Sequence, residues 1–78
     1  MDIFACERQA QRDGAFDKAT FTLNGPTGSL KCAWLDAYFG FFTVEGQEGF
    51  MMSSDCEGLP LTVSDYQPNT EGATNESQ

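Results

Sequence analysis

The chain contains no histidine, and it contains no lysine or arginine after Lys31. Without histidine, Ser-His and Cys-His nucleophile pairs are excluded, and so is the commonest general base. A cysteine nucleophile would need a neighbouring cation to lower its pKa, and residues 32–78 supply no Lys or Arg. We therefore expect that the protein is not an enzyme.

Long apolar runs are also missing. No stretch approaches the ~20 apolar residues of a membrane span, and the start at Met1 lacks the basic residues and apolar core of a secretory signal. The three cysteines, Cys6, Cys32 and Cys56, are an odd number at wide spacing, whereas secreted mini-proteins usually carry an even, denser set. We expect a cytoplasmic protein whose reduced thiols are buried as small apolar side chains.

Ligand sites are poorly supported as well. Scattered cysteines without histidine do not form a zinc pattern, and residues 55–58 lack the regular oxygen ligands of a calcium loop. No lysine follows the glycine clusters, so a phosphate cradle is not expected. Nucleic-acid binding needs Lys and Arg, whereas this chain has 12 acidic and 4 basic residues and a net charge of −8. We expect no metal, no cofactor, no direct nucleic-acid contact and no membrane contact.

What the chain does have is a high aromatic content, with seven Phe, two Tyr and one Trp in 78 residues. Each large aromatic side chain buries ~150–250 Å², so a few of them can build the core of one small domain. After Tyr66 the composition changes, because residues 67–78 include no large apolar side chain. We expect one compact β-rich domain over residues 1–66 and a disordered polar tail over 67–78.

Strand-forming segments recur along most of this domain. They cover residues 29–35, 38–44, 50–53 and 59–63, and polar or glycine-containing turns separate them. This pattern predicts a mainly β or α+β fold, a small antiparallel meander or rolled sheet of five to six strands with room for one short helix. In 38–44 the apolar side chains fall on both faces, so a second layer is expected: another sheet of a rolled barrel, a terminal helix or another subunit.

Two structures compete at the amino-terminal end. The dipeptide Asp13-Gly14 is typical of a two-residue hairpin turn, and folding the chain about it pairs Cys6 with Phe21. This hairpin is the favoured prediction. The alternative is a helix from Ile3 to Asp13, N-capped by Asp2 and closed by Gly14, in which Ile3, Cys6 and Ala10 share a face.

The whole net charge lies after Lys31, where there are eight carboxylates and no cation. Same-face residues on a strand are about 6.6–6.8 Å apart, close to the phosphate spacing of a nucleic-acid strand. Carboxylates on a sheet can therefore complement a Lys/Arg-lined groove and speed association with it. The predicted partner-binding residues are the six carboxylates that precede the tail and two aromatic anchors: Asp36, Tyr38, Phe39, Glu45, Glu48, Asp55, Glu57 and Asp65.

In size, acidity, expected β-rich fold and lack of catalytic groups, the chain resembles the small acidic inhibitors of bacterial viruses and mobile elements, especially anti-CRISPR proteins. The resemblance covers general character and includes no motif, so it assigns no residue a role. It implies a stoichiometric inhibitor in the host cytoplasm that binds the basic surface of a CRISPR effector complex, as some members do by mimicking DNA. The alternative is a small structural or assembly protein that oligomerises through the aromatic strand 38–44. A monomer and a homodimer are both compatible with the sequence.

Overall fold

The computed structural model describes residues 1–14 and 19–68 of the chain. It contains one helix, α1 (Ile3–Arg12), and five strands: β1 (Thr20–Gly25), β2 (Gly28–Asp36), β3 (Phe41–Val44), β4 (Met51–Met52) and β5 (Thr62–Gln67). A short 3-10 helix, Ser53–Cys56, follows β4. Within the described ranges, no helix is long and apolar enough to cross a membrane.

The strands form a single antiparallel sheet in the order β4-β3-β2-β1-β5. Strands β1 to β4 follow one another as a meander, and β5 returns to pair with the free side of β1. The predicted small antiparallel sheet with one helix is therefore confirmed. Strand β5 extends one residue into the predicted tail, and residues 69–78 lie outside the described part of the chain.

The favoured amino-terminal hairpin is wrong, and the helical alternative is correct. The Asp2 Oδ1 atom accepts a hydrogen bond from the Ala5 backbone N–H at 2.7 Å, which caps α1. At the other end Gly14 adopts a φ of +67° after the C-cap residue. The buried residues of α1 are Ile3, Cys6 and Ala10, the face that the helical alternative predicts. The part of the predicted hairpin over 15–18 lies outside the described residues.

The core lies between α1 and one face of the sheet, and three aromatic rings fill its centre. The ring centroids of Phe21, Trp34 and Phe42 are 5.0 to 5.6 Å apart in every pair, and the rings are tilted or edge-to-face, as aromatic side chains prefer. The Trp34 Nε1–H donates to the Cys6 Sγ at 3.4 Å, so the indole is joined to the helix. All three cysteines are free and buried, as predicted.

The predicted strand over 38–44 is shortened to β3. The Asp36 Oδ1 accepts a hydrogen bond from the Tyr38 N–H at 3.0 Å, and Gly40 has a φ of +76°, so residues 37–40 form a turn. Within β3, Phe42 and Val44 are buried. Helix α1 therefore supplies the second layer over the face that carries Phe42 and Val44. A terminal helix was one of the three expected arrangements.

Two other strand boundaries also shift. The predicted strand at 50–53 is reduced to β4, because Ser53 already belongs to the 3-10 helix. The predicted strand at 59–63 begins only at Thr62 and continues to Gln67.

Several hydrogen bonds hold α1 and its flanking residues on the sheet. At the amino-terminal end the backbone groups of Met1 and Val63 exchange hydrogen bonds of 2.6 and 3.0 Å. At the carboxyl-terminal end the Tyr66 hydroxyl donates to Asp13 Oδ2 at 2.8 Å. Gln11 Nε2 donates to the Ala37 carbonyl at 3.1 Å, which joins the helix to the turn before β3.

Candidate protein-interaction surface

Four aromatic side chains form a continuous row beside β3, on and next to the predicted strand 38–44. The members of this aromatic strip are Tyr38, Phe39, Phe41 and Phe50, and successive ring centroids are 4.9, 6.1 and 5.1 Å apart. The exposed fractions of Tyr38, Phe39 and Phe50 are 68%, 61% and 57%, and Phe41 is half-buried. Contiguous exposed apolar groups of this kind typically mark interaction sites.

The strip follows from the two-sided pattern of residues 38–44. Side chains on a strand alternate between the faces of the sheet, so Phe42 lies under α1 while Phe41 lies on the opposite face. Phe39 and Tyr38 precede the strand in the turn that Asp36 and Gly40 form. A second layer was also expected over the face that carries Phe41, and the described residues do not form it.

A buried polar contact fixes the turn that carries Tyr38 and Phe39. The Ser53 N–H donates to the Gly40 carbonyl at 2.8 Å, and the buried Ser53 hydroxyl donates to Glu7 Oε1, also at 2.8 Å. Because Glu7 belongs to α1, the helix, the 3-10 helix and the turn are joined at one point. The turn that includes Tyr38 and Phe39 is therefore held in place by hydrogen bonds that join it to α1 through the 3-10 helix.

Four predicted carboxylates flank the strip. Asp36 lies two residues before Tyr38, and Asp55 Oδ2 accepts a hydrogen bond from the N–H of Met52, which pairs with Phe41. Glu45 and Glu48 lie in the turn that joins β3 to Phe50. Since β3 has four residues, its two ends are about 10 Å apart, and carboxylates are present at both.

The other two predicted carboxylates belong neither to β3 nor to the turns that precede and follow it. Glu57 follows the 3-10 helix, and Asp65 lies on β5, the edge strand opposite β4. Asp65 instead shares a shallow depression of about 590 Å³ on the sheet with Glu45 and Lys31. Glu45 therefore belongs both to the turn that joins β3 to Phe50 and to the lining of this depression.

The described residues do not place carboxylates at the regular intervals that were predicted along strands. Only Asp36 and Asp65 of the predicted set belong to strands, and these strands are separated by β1. The glutamates and Asp55 lie in turns and in the 3-10 helix, where the two-residue repeat of a strand does not apply. The charge of this surface is therefore arranged around an aromatic row and does not follow a regular strand ladder.

Sequence reasoning identified Tyr38 and Phe39 but missed Phe41 and Phe50. The parity of residues 38–44 already placed Phe41 on the face of Phe39, which was a usable signal. Phe50 joins the row because the turn over 45–50 folds back toward Phe41, with ring centroids 5.1 Å apart. Nothing in the sequence pattern specifies that return.

The described residues also include three cationic side chains and three thiols. Arg8 and Arg12 are exposed on α1, and Lys31 lies in the depression on the sheet. No group of three or more His, Cys, Asp or Glu side chains within residues 1–14 and 19–68 is placed to hold a metal ion. Burial raises the pKa of all three thiols, and that of Cys32 reaches about 11.

The chain matches no protein-family model, no curated protein and no solved structure.

Proposed function

We propose that this protein is a stoichiometric inhibitor that docks its aromatic strip and the flanking carboxylates on a Lys/Arg-rich surface of a nucleic-acid-binding complex. The single observation that supports this most is the exposed aromatic row with carboxylates at both of its ends. Protein interfaces typically have aromatic side chains at the centre and polar groups at the rim. Occupation of a basic groove in this way would keep nucleic acid out of it.

The acidic rim supports a basic partner in particular. Nine carboxylates and three cationic side chains lie in the described residues, and the carboxylates beside the strip are Asp36, Glu45, Glu48 and Asp55. A negative field of this kind speeds association with a positive surface and disfavours acidic partners. Docking then combines electrostatic steering with burial of the aromatic rings.

The general resemblance to anti-CRISPR proteins makes a CRISPR effector complex in a bacterial cytoplasm the proposed target. DNA mimicry in the sense of evenly spaced strand carboxylates receives no support from the arrangement of the turns. The proposed contact is instead centred on the strip, with the carboxylates as its rim.

A second candidate is a structural or assembly protein of a virus or mobile element that self-associates through the strip. The exposure of Tyr38, Phe39 and Phe50 favours it, because a second copy would bury the rings. In a two-fold dimer, however, each acidic rim faces another acidic rim, and juxtaposed like charges are costly. Charge complementarity therefore favours the basic partner.

The test is binding to purified CRISPR effector complexes, with competition against their DNA measured by gel shift at low and high salt. We expect wild-type protein to displace DNA at low salt and to lose affinity steeply as salt rises. Reversing both glutamates of the flanking turn (E45K/E48K) should abolish binding. The matched pair is E48K and E57K, since each exchanges one exposed turn glutamate for lysine. E48K should weaken binding about tenfold or more, whereas E57K should change it less than about threefold.

Three results would contradict the proposal. Equal losses for E48K and E57K would show that net charge matters and the strip does not. Absence of binding to any basic nucleic-acid-binding complex would overturn the inhibitor function. A stable homo-oligomer in light scattering that persists in high salt and is dispersed by Phe39→Ala would establish the second candidate.

A further inference from the structure

The aromatic strip has a chemical preference that net charge alone would not give. We infer that it selects arginine over lysine in the basic surface that it binds, and this inference rests on the proposed function. It names the side chain of the partner that the strip recognises. The argument depends on the geometry of the rings and on the position of the nearest carboxylate.

Tyr38 and Phe39 form an accessible corner. Their ring planes differ by 81° at a centroid separation of 4.9 Å, and both rings are more than half exposed. A flat group can stack on one ring while the other forms a wall at right angles to it. The guanidinium of arginine is planar and weakly hydrated and stacks on aromatic faces, whereas the ammonium of lysine is a compact, strongly hydrated charge.

The carboxylate of Asp36 lies next to this corner. Its Oδ1 accepts the Tyr38 N–H at 3.0 Å, which fixes the orientation of the carboxylate relative to the ring that follows. Among the described residues, its Oδ2 receives no hydrogen bond from a side chain or backbone group. A guanidinium stacked in the corner can direct an N–H to that oxygen, because its donors lie in the plane of the group.

Phe41 and Phe50 extend the same chemistry toward Glu45 and Glu48. Their centroids are 5.1 Å apart with planes inclined at 45°, so further ring surface lies between the two acidic ends. An arginine-rich segment can therefore place successive guanidinium groups along the row. Lysines in the same positions would gain the charge attraction and a contact of the ammonium with the ring faces, but not the planar stacking.

The experiment compares two synthetic peptides of equal length and charge, one with arginine and one with lysine at alternate positions between glycines. Affinities for the full chain are measured by isothermal titration calorimetry at low salt, with NMR shifts of the Tyr38 and Phe39 rings as the site readout. We expect the arginine peptide to bind about fivefold more tightly, as cation–π contacts at exposed rings would give. Phe39→Leu should reduce the ratio with little change for the lysine peptide, because the corner then loses one of its two rings, and Phe39→Tyr should retain the preference.

The outcomes separate this inference from the proposed function. Equal, salt-sensitive affinities for both peptides would overturn the arginine preference and leave a basic partner supported. An arginine preference that Phe39→Leu leaves undiminished, or that shifts no strip resonances, would also overturn the inference. Binding of neither peptide would overturn the preference and the proposed basic partner together.

Discussion

At the residue scale, Gly40 has the most restrictive surroundings in the candidate site. Its φ of +76° lies in the left-handed region that glycine favours. A Cβ at this position would also lie 2.5 Å from the Ser53 hydroxyl oxygen and 3.1 Å from Glu7 Oε2. The positive φ and the short distances to Ser53 and Glu7 therefore both require glycine at this position. The hydrogen-bonded side chains of Glu7 and Ser53 occupy the space that a Cβ would need.

Gly40→Ala should destabilise the protein more than the same substitution at a glycine that also has a positive φ but has no atoms close to the added Cβ. Gly46 is that control, because its φ is +83° and nothing lies within 4 Å of a Cβ built there. We expect the free energy of unfolding to fall by about 3 kcal/mol for Gly40→Ala and by about 1–2 kcal/mol for Gly46→Ala. Urea denaturation followed by the fluorescence of buried Trp34 measures both. Equal losses would show that the contact with Ser53 is unimportant.

At the scale of elements, the Asp13-Gly14 pair shows why the amino-terminal hairpin was a reasonable but wrong expectation. A type I′ turn needs positive φ at its central residues, and the position after a helix C-cap needs the same of Gly14. The dipeptide therefore fits both elements. The helix is favoured by the Asp2 cap and by residues 5–12, which are mostly good helix formers, and by the burial of Ile3, Cys6 and Ala10 against the sheet.

The site was predictable to the extent that turns and side-chain parity determine it. The glycine-containing turn at 45–49 placed Glu45 and Glu48 correctly. The apolar pattern of 38–44 indicated two packed faces, whereas the described residues cover only the face of Phe42 and Val44. The spatial order of the strands was not predictable from local patterns, because β5 crosses over to pair with β1. That crossover moves Asp65 to the edge opposite β4 and so away from the strip.

Removal of the Asp2 cap should weaken α1. Asp2→Ala leaves the Ala5 N–H without its side-chain acceptor, and we expect a loss of about 1 kcal/mol in the free energy of unfolding. Asp2→Asn is the matched control, because asparagine caps helices about as well as aspartate and removes the same charge. Urea denaturation of the three proteins provides the comparison. A loss in the asparagine variant as large as that in the alanine variant would show that charge, and not capping, is responsible.

At the scale of the whole molecule, the domain is a two-layer structure with its thiols inside. Helix α1 covers one face of the sheet, and Cys6, Cys32 and Cys56 all belong to the core that it encloses. Burial raises the pKa of each thiol because the thiolate loses its hydration. Burial and the hydrogen bond to Asp13 raise the pKa of the Tyr66 hydroxyl in the same direction. Because burial favours the protonated form of these groups, the free energy of unfolding depends on pH in the alkaline range.

The free energy of unfolding should therefore fall as the pH rises above about 9. The pKa of Cys32 rises from 9.0 to about 11 on folding, so below pH 9 the thiol is protonated in both states and its burial remains fully favourable. Between the two values the unfolded chain loses protons that the folded chain retains, and stability declines through this interval. Urea denaturation at several pH values between 8 and 11 measures the decline, and Cys32→Ala should make it shallower, although the lost sulfur lowers stability at every pH. A stability that stays level from pH 8 to 11, or a slope that Cys32→Ala leaves unchanged, would contradict this account of the buried thiol.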